Sequence, residues 1–151
     1  MHPLTLTWRA PPKNAGPAHG ESLVGMGPLR TILVDDNETF LNAASVLISG
    51  YRELEIVGLA RSAAEAIEKI DLLRPHLVLM DAVMPGMSGL DATRVIKAAP
   101  GAPCVVIWTL HTDARYEQAA AFVGADGFVP KSALAKQLLP LVRTLFSLSA
   151  N

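Results

Sequence analysis

The chain has 151 residues, the size of one ordinary domain rather than two. Half of its residues are hydrophobic and 18% are charged, which excludes a disordered polymer, while 13 Lys and Arg against 14 Asp and Glu leave a net charge of −1 that offers no whole-molecule attraction to nucleic acid or an anionic membrane. Cys104 is the single cysteine, which excludes an intramolecular disulfide and a cysteine-rich zinc site; with no apolar run near the ~20 residues of a membrane span and no signal-peptide pattern, the sequence predicts a soluble, cytoplasmic protein.

Residues 1–28 carry Pro3, Pro11, Pro12, Pro17 and Pro28 among several glycines and show no sustained helical or strand period, so they read as a flexible N-terminal extension. Met26 offers a second point at which translation could begin. From Leu29 onward, short apolar runs alternate with amphipathic stretches, the texture of βα units on a parallel sheet. Thr31 to Val34 predicts a buried strand, and Asn37 to Ser49 a helix with Phe40, Leu41, Ala44, Leu47 and Ile48 on one face. Glu55 to Ala60 predicts the second strand. Ser62 with Glu65 three residues later is a capping-box signature for a helix over 62–73. Leu77 to Met80 predicts a third strand ending at Asp81, Ser88 to Ala98 a helix closed by Pro100 and Gly101, Cys104 to Trp108 a fourth strand, and Asp113 to Val123 a helix stopped by Gly124. Gly127 to Pro130 predicts a short fifth strand, which belongs at a sheet edge because proline cannot donate to a ladder. Pro140 is expected in a first turn, where its missing N–H would go unpaired anyway; the final helix is therefore predicted from about Leu134–Lys136 to about Leu148, with Leu138, Leu141, Val142 and Leu145 inward.

Ligands of open parallel α/β sheets bind beyond the carboxyl ends of the strands. There the sequence places Asp35 and Asp36 after the first strand, Asp81 at the third, Thr109 at the fourth and Lys131 after the fifth. Any one of these could be a turn former or helix cap. Together they are harder to explain that way, since two like charges ~4 Å apart repel by about 4 kcal/mol at an effective dielectric of about 20, and three carboxylates with one ammonium call for a divalent cation. An all-oxygen donor set suits Mg²⁺. An aspartate beside that ion can act as nucleophile toward a phosphoryl group while a lysine and a hydroxyl stabilise the equatorial oxygens; Asp81, on the central strand, is the candidate.

The landmarks Asp35-Asp36, Asp81 followed by Met84-Pro85-Gly86-Met87-Ser88-Gly89, Thr109, and the run from Gly124 to Lys131-Ser132 resemble a CheY-like response regulator receiver domain of two-component signalling, most similar to receivers of the NarL/LuxR subclass. The resemblance implies a flavodoxin-like (βα)5 doubly wound parallel sheet of strand order 2-1-3-4-5, with the receiver over residues 29–151. It implies Asp81 as phosphoacceptor, Asp36 and Asp81 as direct Mg²⁺ ligands with the backbone carbonyl of Val83, Asp35 acting through a metal-bound water, Thr109 and Lys131 contacting the phosphoryl group, and Phe128 as the switch aromatic that turns inward as Thr109 moves. The implied partners are a sensor histidine kinase or a histidine phosphotransfer protein and a downstream protein target reached through the fourth helix, fifth strand and fifth helix. Homodimerisation on phosphorylation is compatible with this. The implied role is signalling, with no enzymatic activity beyond its own phosphotransfer and autodephosphorylation.

Some residues depart from the common pattern. Ser132 replaces a frequent proline after Lys131, Leu110 stands where a small residue is common and could narrow access, and Val83 and His111 occupy positions that tune dephosphorylation in the family. An apolar Val83 positions no attacking water, so slow decay of the phosphorylated form is expected unless His111 assists. Only 20 residues follow Lys131, so a stand-alone receiver without direct DNA binding is expected. Two alternatives stand beside this reading: a phosphohydrolase of the haloacid dehalogenase type, whose nucleophile would belong to an Asp-x-Asp pattern on the first strand, and a receiver-like module that never takes phosphate. Cys104 and Trp108 read as core, and neither His76 nor His111 has a second His or Cys at metal-ligand spacing in the sequence.

Overall fold

A computed structural model describes residues 27–147 of the chain. Residues 1–26 of the predicted extension lie outside the described residues. Five strands, β1 (Leu29–Val34), β2 (Leu54–Ala60), β3 (Leu77–Asp81), β4 (Cys104–Thr109) and β5 (Gly127–Pro130), form one parallel sheet of order β2-β1-β3-β4-β5. The helices between them are α1 (Glu38–Ser49), α2 (Ala63–Leu73), α3 (Gly89–Lys97), α4 (Ala114–Phe122) and α5 (Leu134–Leu145), the last preceded by a 3₁₀ turn over Lys131–Ala133. The expected flavodoxin-like order is therefore the observed one, and Pro130 lies on an edge strand, paired with Thr109 of β4.

Strand residues alternate between two cores. Ile32, Val34, Val78, Met80, Val105 and Ile107 pack toward α2, α3 and α4, whereas Leu33, Leu77, Leu79, Val106 and Trp108 pack toward α1 and α5. Period-two alternation thus buries both faces of each central strand, and β1, β3 and β4 read as nearly continuous apolar runs for that reason. Each fully buried Leu, Ile or Val contributes roughly 1.5–3 kcal/mol relative to exposure. β3, with all five residues buried, has the position of a fixed central platform, and Asp81 is its last residue.

Helix starts follow the sequence signals. Asn37, Ser62, Ser88 and Asp113 are N-caps whose side chains accept from Phe40, Glu65, Asp91 and Arg115 backbone N–H groups. The predicted capping box is met on one side only, since the Glu65 carboxylate accepts from the Arg61 N–H at 2.8 Å rather than from Ser62.

The last helix corrects two expectations. Pro140 lies inside α5, not in its first turn. Its exposure makes this tolerable, because the carbonyl one turn back can be solvated instead of being left unpaired in the core. The helix also ends at Leu145 rather than near Leu148: Phe146 caps it with its ring buried, and Ser147 adopts a left-handed φ of 56°. Leu138 and Val142 are buried as expected, joined by Leu134, while Leu141 and Leu145 are only partly covered. Among the described residues no helix is long and apolar enough to cross a membrane.

Candidate functional site

The carboxyl ends of β1, β3, β4 and β5 enclose a cleft of about 200 Å³ lined by Asp35, Asp36, Asn37, Asp81, Val83, Thr109, Leu110, His111 and Lys131. Every catalytic and metal-ligating position expected from the sequence is on this wall. Phe128 is not: it lies half-buried against the core that faces α2, α3 and α4, one residue before the buried Val129.

Asp35 and Asp36 sit at the turn from β1 into α1. Asp35 is fully buried, and its Oδ1 accepts from the Asn37 N–H at 2.9 Å, so the residue that caps α1 also orients the carboxylate. Asp36 is half-buried. One carboxylate oxygen from each of Asp35, Asp36 and Asp81 lies within 4.8 Å of the others. Lys131 reaches into the cluster from the far edge of the sheet: its ammonium is 2.6 Å from Asp35 Oδ2 and 3.7 Å from Asp81 Oδ2, with side chains 7% exposed or less. Burial, and then the neighbouring Asp35 carboxylate, push the Asp81 carboxyl up to about 7, against the opposing pull of Lys131.

The far end of β3 is shaped by a glycine. A Cβ at Gly89 would come within 1.6 Å of the Asp81 carbonyl oxygen, and the Gly89 N–H donates to the Ala82 carbonyl at 3.0 Å. The start of α3 therefore closes directly onto the backbone of Asp81, which only a residue without a side chain allows. The Val83 N–H points to Asp81 Oδ1 at 3.4 Å, and the Val83 side chain is 46% exposed at the cleft wall. Opposite, Thr109 is buried and its Oγ1 accepts from the His111 N–H at 3.1 Å; the His111 ring stacks on Tyr116 with centroids 4.6 Å apart. Leu110 is 74% exposed, so in this conformation it flanks the mouth of the cleft instead of closing it. No peptide bond among the described residues is cis, including the one joining Lys131 to Ser132.

Three oxygen-donor side chains converging in a partly buried cleft fit a hard divalent cation, for which Mg²⁺ is the physiological choice. The same cleft offers a carboxylate on a rigid strand end, a hydroxyl and an ammonium around one small volume, the donor set that phosphoryl transfer requires.

Two aromatic residues near the site were not assigned a part in it by sequence. Trp108, fully buried, donates its indole N–H to the Val34 carbonyl at 3.0 Å, just before Asp35. Phe40 meets Trp108 edge-to-face at 5.0 Å and 82°, and its ring lies 4.4 Å from the Lys131 ammonium. Sequence pattern marks both residues correctly as apolar but carries no sign that they adjoin a lysine 91 positions away from Phe40.

A sequence profile described as "Response regulator receiver domain" matches residues 31–143. The chain is 29% identical over 120 residues to the response regulator GacA of Pseudomonas protegens, covering 79% of this chain and 56% of that protein. It is 35% identical over 104 residues to a protein-glutamate methylesterase/protein-glutamine glutaminase of Vibrio parahaemolyticus, covering 68% of this chain and 28% of that one. The chain thus spans between about a quarter and just over half the length of these relatives. Among solved structures, a LuxR-family two-component response regulator from Aurantimonas is similar with a TM-score of 0.75 and 30% identity, covering 80% of this chain and 86% of that chain. The response regulator domain of CheB from Thermotoga maritima shares the fold with a TM-score of 0.72 at 23% identity, covering 81% and 98%.

Proposed function

Since the chain belongs to the response regulator receiver family of two-component systems, we propose that it accepts a phosphoryl group on Asp81 from the phosphohistidine of a sensor histidine kinase or histidine phosphotransfer protein. With that membership the haloacid dehalogenase alternative loses its support. The observation that carries the reading is the convergence of Asp35, Asp36 and Asp81 within 4.8 Å, with Lys131 reaching both Asp35 and Asp81.

In the step itself an Asp81 carboxylate oxygen attacks phosphorus in line with the donor imidazole; the new O–P bond forms as the P–N bond breaks, and the imidazole leaves with the electron pair. Asp36, Asp81 and the Val83 carbonyl would hold Mg²⁺, with Asp35 contributing through a water; when bound, the ion neutralises charge on the cluster and on the phosphoryl oxygens. Lys131, whose ammonium is ion-paired with Asp35 in the resting site, is within reach of an oxygen carried by Asp81. Thr109 Oγ1 is free to donate, because its contact with the His111 N–H uses it as an acceptor. Its movement toward the phosphoryl group would pull on the β4–α4 loop through that contact, and Phe128, half-buried against the same core as Tyr116 of α4, would follow inward. The surface of α4, β5 and α5 is then the output face for a downstream protein or a second copy of the chain. Nothing polar from Val83 positions a hydrolytic water, which supports a long-lived phosphorylated state. The receiver over residues 29–151, its N-terminal extension and a cytoplasmic location complete this reading.

Incubation with acetyl phosphate and Mg²⁺ followed by intact-mass measurement tests it. One added phosphoryl group is expected, labile to hydroxylamine and absent without Mg²⁺ or in Asp81→Asn. An unmodified wild type at saturating donor would refute it.

A further inference from the structure

Lysine carries its charge on a flexible four-carbon stem, so an ammonium that must serve two carboxylates needs something other than its own tether to place it. Here the Lys131 ammonium is 2.6 Å from Asp35 Oδ2 but 3.7 Å from Asp81 Oδ2. Coulomb attraction alone draws it toward the closer partner, which is also the more deeply buried one. A third surface faces it from the side: the ring of Phe40, with its centroid at 4.4 Å. An aromatic face attracts a cation without accepting a directed hydrogen bond, so it confines the ammonium while leaving its N–H groups for oxygens.

Phe40 is itself held. The edge-to-face contact with Trp108 at 5.0 Å and 82° fixes the ring, and the Trp108 indole is anchored by its hydrogen bond to the Val34 carbonyl at 3.0 Å. The Phe40 N–H donates to the Asn37 side chain at 3.0 Å, tying the first turn of α1 to the same corner. The carbonyl that Trp108 holds precedes Asp35, and the helix turn that carries Phe40 follows Asp36. One aromatic pair thus links the strand end bearing two acidic residues to the lysine that arrives from β5.

We infer that Phe40, braced by Trp108, is a positioning residue that holds the Lys131 ammonium between Asp35 and Asp81, where it can pass from one carboxylate to an oxygen on the other. The inference rests on Asp81 being the phosphoacceptor. It does not make Phe40 a catalytic group, because Phe40 is not among the residues that line the cleft and acts on it only through Lys131.

The test compares wild type, Phe40→Leu and Phe40→Tyr. Leucine keeps an apolar side chain of similar reach but removes the π face; tyrosine restores the face. Three quantities are read: the rate constant of phosphorylation by acetyl phosphate at saturating Mg²⁺, the Mg²⁺ affinity, and the ring-current shift of the Lys131 ε-methylene protons by NMR, which needs no phosphoryl donor. A cation–π contact in a largely desolvated site predicts a rate lower by about tenfold in Phe40→Leu. Mg²⁺ affinity should change by less than about twofold, since the acidic cluster is untouched, and Phe40→Tyr should recover most of the rate. The upfield methylene shift should be present in wild type and Phe40→Tyr and absent in Phe40→Leu. A Phe40→Leu rate equal to wild type, a Phe40→Tyr as slow as Phe40→Leu, a rate loss matched by an equal loss of Mg²⁺ affinity, or no ring-current shift in wild type would each overturn the inference. If wild type itself takes no phosphoryl group, the phosphoacceptor reading falls and this one with it; a fully modifiable wild type with an equally fast Phe40→Leu overturns this one alone.

Discussion

The two rims of the sheet treat charge in opposite ways. At the amino ends of the strands, charged and polar groups find complementary partners. Asp126 accepts from the Val105 N–H and from Lys97, each at 2.8 Å; Arg143 meets Glu53 at 2.6 Å; and Arg30 donates its side chain to the Arg74 carbonyl and its backbone N–H to His76 Nδ1. At the carboxyl ends, three carboxylates crowd around one ammonium, and the Asp81 carboxyl is driven up to about 7 by burial and by Asp35. The first arrangement stabilises the fold. The second opposes it, and such an arrangement persists when the site does something other than hold the chain together.

The difference predicts how substitutions on the two rims should behave. The largest effect is expected for Lys131→Met, which strips the buried Asp35 and Asp81 of the cation they share. Losing one partner of a buried pair costs about 3–5 kcal/mol, to be read by urea unfolding in EDTA, with partial recovery on adding Mg²⁺. A loss below about 1 kcal/mol would mean that the pair behaves like a solvated surface bridge. On the opposite rim, Asp126→Ala leaves the Val105 N–H without its acceptor and the Lys97 ammonium with the Pro103 carbonyl but no carboxylate, and should destabilise by about 2 kcal/mol whether or not Mg²⁺ is present.

Asp81→Asn should have the opposite sign. The folded-state value of Asp81 lies above the ordinary carboxylate value of 3.8, so the wild type suffers no penalty at pH below 3.8, loses stability as the pH rises toward about 7, and carries the whole penalty above that. The amide escapes it. Metal-free Asp81→Asn is therefore expected to be more stable than wild type by up to about 2 kcal/mol at pH 8, with the gap closing as the pH falls to 4. Thermal melts of both proteins across that range measure it, and a gap independent of pH would remove like-charge crowding as its cause.

The smallest effect belongs to Arg143→Met, at about 1 kcal/mol or less, because both side chains of that bridge are partly solvated. The hydrogen bond from Arg143 holds the Glu53 carboxyl below its usual range. Its contribution should therefore be complete above the unfolded value of 4.5 and disappear as the pH drops through the lower folded value. The same melts with Arg143→Met and wild type check this, with convergence expected in acid.

Much of the site was legible in the sequence because position along a strand carries three-dimensional information. In a parallel sheet every carboxyl end lies on one rim, so strand position alone gathers Asp35, Asp36, Asp81, Thr109 and Lys131. Pro130 marked the edge strand for an equally local reason, its missing donor. What escaped depends on contacts between distant segments. Phe40 was visible as one apolar residue on a helical face, and Trp108 as a large core residue, but their junction with Lys131 follows from how α1, β4 and β5 pack. Gly89 was visible as part of a motif, whereas its reason, the Asp81 carbonyl oxygen 1.6 Å from where a Cβ would stand, is purely tertiary. Pro140 misled because the first-turn rule is a preference with a cost of about 3 kcal/mol and not a prohibition; on an exposed face water satisfies the carbonyl that proline cannot, and the burial of Leu134, Leu138 and Val142 offsets the rest. The end of α5 escaped too, since Ser147 with φ of 56° is a backbone choice that serine does not announce.

The central claim, that this acidic rim presents one particular carboxylate for covalent modification, is tested most directly by locating the acyl phosphate. Protein treated with acetyl phosphate and Mg²⁺ is reduced with borohydride, which converts a phosphorylated aspartate to homoserine, and is then digested and sequenced by mass spectrometry. Homoserine at position 81, with aspartate retained at positions 35 and 36, is the predicted result. Homoserine at 35 or 36, or elsewhere in the chain with position 81 intact, would contradict it.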